Sequence, residues 1–87
     1  MKSRTTERFR KCFKRLPAQI QQRARKAYKL YQEHPDHPGL RFKRVHLTEP
    51  IVSVRVGLGY RALGIQHDDE IVWFWIGSHS DYDNLVS

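Results

Sequence analysis

The chain has 87 residues, 39% of them hydrophobic and 11% aromatic: enough for one modest core in a single domain over 1–87, and enough to exclude wholesale disorder. No apolar run approaches the roughly 20 residues that span a bilayer, no h-region follows the basic start "MKSRTTERFRKCFKR", and the single Cys12 excludes an internal disulfide or a cysteine-based zinc finger. The net charge of +7 is uneven: residues 1–45 hold 14 Lys/Arg against three acids (+11), and residues 46–87 hold two against six (−4), which points to a polyanionic partner unless the cations only solvate helix faces.

In chain order, Thr5 or Thr6 can cap a first helix, whose Phe9, Phe13 and Leu16 share one face with Cys12 beside them, a core position rather than a reactive thiol. Leu16-Pro17 breaks that pattern, and Pro17 suits the first turn of a second helix with a stripe of Ile20, Ala24, Ala27 and Tyr31. The two form a hairpin with a basic outer surface. "HPDHPG" (34–39) ends the second helix. His34 and His37 are three apart, but the prolines make a rigid extended turn with no third ligand in view, so no metal is expected there.

The rest reads as strands. "LRFKRV" (40–45) places Leu40 and Phe42 on one face and Arg41 and Lys43 on the other, with Arg44 following. In "IVSVRVG" (51–57) Val52, Val54 and Val56 face in, and Ser53 and Arg55 face out. Gly57-Leu58-Gly59 permits a tight hairpin into "YRALGIQ" (60–66), and His67-Asp68-Asp69 turns into "IVWFWI" (71–76). Ser80 resembles an N-cap with Asp83 three residues on, so "SDYDNLV" reads as a short closing helical turn. The expected fold is α+β: a helical hairpin packed on one face of a four-stranded antiparallel sheet. Leu40, Phe42, Val52, Val54 and Trp73 should be buried against Phe9, Phe13, Ile20 and Tyr31.

The face away from the helices then gathers Arg41, Lys43, Ser53, Arg55 and Arg61, with His79 emerging from the most apolar strand and Tyr82 one turn later. A basic face with a histidine and a tyrosine could hold RNA phosphates and act on a 2′-hydroxyl. Each arginine alone has a plainer reading, an ion pair with Asp68, Asp69 or Glu70, and His79 could simply cap a turn. His79 and Arg61 should both project from the sheet, so that removing either leaves no core cavity.

The order "F-x3-F-x2-LP", "HPGLRFKRV", "VSVRVGLGYRALG", "IVWFWIGSHSDY" resembles the RelE/ParE superfamily of bacterial type II toxins over nearly the whole chain. That resemblance implies a helical hairpin on an antiparallel sheet, a cognate antitoxin, and a cytoplasmic protein with no cofactor and no membrane partner. Many members are metal-independent endoribonucleases that cut mRNA on the ribosome; the ParE branch poisons DNA gyrase. Arg61 of "GYR" matches the arginine that binds the scissile phosphate, and Arg55 lies near a second cation. His79 resembles the C-terminal histidine of the YafQ and HigB branches, an acid or base there, and Tyr82 is near the catalytic tyrosine of RelE. Arg41, Lys43, Arg44 and Ser53 are the accompanying RNA-binding candidates. The chain lacks the basic C-terminal segment of RelE and the extra histidine and aspartate of the YafQ site. An mRNA endoribonuclease is therefore expected, with a gyrase poison or a catalytically inactive RNA-binding relative as alternatives.

Overall fold

The structure is a computed structural model that describes residues 2–46 and 48–86, Val86 by its backbone alone. Thr6 caps α1 (Glu7–Lys14), its hydroxyl accepting from the Phe9 N–H at 3.1 Å. Phe9, Cys12, Phe13 and Leu16 pack half-buried against the core. Pro17 sits one residue earlier than expected, as the N-cap of α2 (Ala18–Glu33), where its carbonyl accepts from the Ile20 and Gln21 N–H groups. Gln21 Nε2 reaches back to the carbonyls of Phe13 and Leu16, both at 3.1 Å, satisfying the open end of α1 and fastening the two helices together. Ile20, Ala24 and Tyr31 are buried.

The sheet differs from the expectation of four antiparallel strands. It has five, in the order β1–β5–β4–β3–β2, and β1 (Lys2–Thr5) runs parallel to β5 (Glu70–Ser78) from Lys2↔Glu70 to Thr5↔Trp73. "KSRT" is too short and too polar to show an alternation, so its strand state comes from what it meets. β5 has an open edge, the Ser3 hydroxyl accepts from Trp73 Nε1 at 2.9 Å, and Arg4 pairs with Glu70 at 2.8 Å. With β1 on one side and β4 (Tyr60–His67) on the other, the apolar β5 is an interior strand.

A second correction falls on residues 40–45. Pro38–Leu40 is a 3₁₀ turn and Arg41 adopts a left-handed conformation (φ 47°), leaving only Lys43–Arg44 as the edge strand β2. Leu40 is nevertheless buried and Phe42 half-buried. β2 pairs with β3 (Ile51–Arg55), Lys43 opposite Ser53 and Arg44 opposite Val52. Cross-strand partners share a face, so Lys43 lies on the side of Ser53 and Arg44 on the helix side.

Strict alternation would also put Trp73 and Trp75 on one face. A bulge at Phe74 separates them: Trp73 opposes Gly64 and Trp75 opposes Leu63. Trp73 joins the helix-side core with Tyr31, Val52, Val54 and Ile71, where Tyr31 meets it edge-on at 5.4 Å and stacks on Phe42 at 6.1 Å. Trp75 joins Leu63 and Tyr82 in a smaller cluster on the opposite face. That face is covered by α3 (His79–Val86), which has eight residues instead of a single turn. Its cap is the Ser78 hydroxyl, accepting from the Asp81 N–H at 3.1 Å, and not Ser80. Among the described residues, no helix is long and apolar enough to cross a membrane.

Candidate functional site

The β3–β4 hairpin and the start of α3 enclose an open cleft of about 210 Å³, lined by Arg41, Arg55, Arg61, His79 and the turn Gly57–Tyr60. Gly57 (φ 118°) and Gly59 (φ 82°) supply the positive dihedrals that the tight turn needs, a conformation costly for any other residue type here. The Gly59 carbonyl accepts from the His79 N–H at 2.7 Å, so the turn and the first residue of α3 are held as one unit. The most apolar strand thus ends in a fixed mount for the histidine.

Arg55 and Arg61 are direct cross-strand partners. Like charges placed opposite each other repel and are destabilising unless an anion joins them. Among the described residues none of Arg41, Arg55 and Arg61 has a carboxylate partner; Glu70, the plainer candidate, pairs with Arg4. Arg61 is only 8% exposed. Its Nε donates to Ser53 Oγ, its Nη2 donates to the Arg41 carbonyl at 3.3 Å, and its guanidinium carbon lies 5.5 Å from the centre of the Tyr82 ring. Burial lowers its pKa from the ordinary arginine value; Tyr82 opposes this, while Arg55 and Arg41 add to it. The Tyr82 ring also stacks with His79, 5.8 Å between centroids. The His79 side chain is 57% exposed, with Nε2 3.8 Å from Asp83 Oδ1 one helical turn on.

The structure therefore brings His79, Arg61, Arg55 and Arg41 to one cleft, with Tyr82 beneath. Ser53 has no exposed surface and meets Arg61, not solvent. Lys43 is on the same face but does not line the cleft, and Arg44 lies on the other face. Arg61 does not project freely as expected: its removal would leave a polar gap, because the strand face it occupies is covered by α3. The sequence pattern offers Asp83 only as a capping residue; its i+4 spacing from His79 becomes informative because α3 begins at His79. His37 Nδ1 accepts from the Gly39 N–H at 3.0 Å, a turn contact. Among the described residues no three His, Cys, Asp or Glu side chains come together in a way that could hold a metal ion.

The α+β fold, with paired helices on one face of a five-stranded mixed sheet, matches that of the RelE-like toxins. The family model of the ParE-like toxin domain matches residues 18–84, so the chain belongs to that family, within the RelE/ParE superfamily. No curated protein matches the chain significantly. Among solved structures, the fold is similar to a RelE in the RelB-RelE antitoxin-toxin complex from Methanococcus jannaschii (TM-score 0.77, 18% identity, 95% of this chain and 98% of that one). It is also similar to YafQ from E. coli (0.72, 11%, 92% and 94%) and to the YoeB/ParE toxin from Agrobacterium tumefaciens (0.69, 12%, 91% and 99%).

Proposed function

We propose that this toxin is a ribosome-dependent mRNA endoribonuclease, held silent by a cognate antitoxin such as the RelB that accompanies the similar archaeal RelE. The observation that carries the reading is the cross-strand Arg55–Arg61 pair, which lines the cleft beside His79 and Arg41 and has no carboxylate partner among the described residues. The 2′-oxygen of the upstream ribose attacks the phosphorus, its proton passing to neutral His79. The bond to the 5′-oxygen then breaks and that oxygen takes a proton from solvent, leaving a 2′,3′-cyclic phosphate and a 5′-hydroxyl end. Arg55 and Arg61 stabilise the negative charge that grows on the phosphorane oxygens, in a site whose cations are already in place. Asp83 is suited to orient the imidazole and Tyr82 to hold both His79 and Arg61. None of these steps calls on a cofactor.

The gyrase-poisoning alternative gains from one feature: Arg61 is engaged internally by Ser53, Arg41 and Tyr82. The deciding experiment maps mRNA 5′ ends after induction of the wild-type toxin and of His79→Ala. New in-frame ends with the wild type, reduced about 10²- to 10⁴-fold by the substitution, support the nuclease. Growth arrest without new mRNA ends, accompanied by cleaved DNA–gyrase complexes, refutes it.

A further inference from the structure

A second hollow lies beside the cleft, open and of about 480 Å³ at the end of α2, with Tyr31 and Phe42 as apolar lining and Asp36, His37 and Arg41 among its polar walls. Arg41 lines this cavity and the arginine cleft alike, so the two are neighbours through one residue. That residue is also the backbone outlier at φ 47°, a conformation rare for a side-chain-bearing residue, and its carbonyl is held by Arg61. A guanidinium is thus presented at the boundary of a phosphate-sized cleft and an aromatic hollow.

The polar groups around the hollow are chemically distinct. Asp36 offers carboxylate oxygens, which only accept hydrogen bonds. His37 Nδ1 already accepts from the Gly39 N–H, so the neutral ring carries its proton on Nε2 and presents a donor. Arg41 adds further donors. Guanine is the base that answers this set: N1–H and the N2 amino group donate, O6 and N7 accept, and a purine has the larger face for contact with aromatic rings. Adenine lacks the N1–H and offers an amino donor in place of O6.

We propose that this cavity is a guanine-binding subsite for a nucleotide next to the scissile phosphate, with Asp36 as the residue that selects the base and Arg41 bridging base and phosphate. The proposal rests on the nuclease reading and adds to it a source of sequence preference.

Two measurements separate the pocket from the chemistry. The first maps mRNA ends after induction of wild type and Asp36→Asn. Asp36 is exposed and is not among the residues that line the cleft, so the variant should fold and lose cleavage chiefly where guanine lies beside the cut. The expected result is a guanine preference beside the cut in the wild type that falls at least about fivefold in Asp36→Asn, the lower end of what one good base contact contributes. An unchanged cut pattern overturns the proposal. The second titrates the wild-type protein with guanosine 3′-monophosphate and adenosine 3′-monophosphate, followed by amide NMR shifts. Shifts at residues 35–42 that favour the guanosine probe are expected. If the wild type cuts no mRNA, the nuclease reading fails and the titration alone decides: guanine-selective shifts keep the pocket, and their absence removes it.

Discussion

Arg61→Ala is expected to destabilise the fold as well as the site, and the size of the effect follows from its contacts. The substitution strips the wholly buried Ser53 hydroxyl of its partner, at about 1–3 kcal/mol. It also removes the cation from the Tyr82 face, about 0.5–2 kcal/mol. Against this stands relief of the cost of keeping a charge out of water, and of the repulsion from Arg55. That relief largely cancels the charge-assisted part of the hydrogen bonds, leaving a net loss of about 2–3 kcal/mol. For a domain of this size each kcal/mol moves the melting temperature by roughly 4–8 °C, so a fall of about 10–20 °C is expected by circular dichroism. His79→Ala, at an exposed position, should melt within a few degrees of wild type. A double-mutant cycle with Ser53→Ala should return a coupling of about 1–2 kcal/mol. If Arg61→Ala melts with His79→Ala and adds simply to Ser53→Ala, the buried network described here contributes nothing. Loss of toxicity in Arg61→Ala consequently counts as a catalytic effect only at temperatures where the variant is folded.

The remaining expectations are simpler to test. Asp83→Asn should lower mRNA cleavage far less than His79→Ala, since it orients the imidazole without replacing it; equal losses in end-mapping would give the carboxylate a direct role. Gly64→Ala should cost about 1–3 kcal/mol in urea denaturation, because its Cβ would fall 2.8 Å from the Trp73 ring and 3.0 Å from Ile71. Burial, reinforced by Tyr28, raises the pKa of Tyr31, so the folded protein holds that proton more tightly than the unfolded chain does. Its contribution to stability is complete below about pH 10 and is lost as the pH rises through the raised folded value; Tyr31→Phe should flatten the alkaline decline in thermal stability.

The elements that carried their own periodic signal were legible without coordinates. The stripes of α1 and α2, the alternation Val52, Val54, Val56 and the apolar run of β5 reflect burial of one face against another, and a spacing of 3.6 or 2 reports that directly. The shared face of Arg55 and Arg61 followed from the same alternation, whereas Arg41 reaches the cleft from a left-handed turn and His79 from the first residue of α3. What was not legible depended on residues distant in sequence. β1 became a strand because β5 had an unfilled edge, and the Phe74 bulge sent Trp75 to the far face while the Trp73 indole packs over Gly64. Ser53 and Arg61 read as surface positions until Tyr82 of α3 lay over Arg61 and Arg61 over Ser53. A strand pattern states which face a side chain takes; whether that face meets water is decided by what the rest of the chain lays over it.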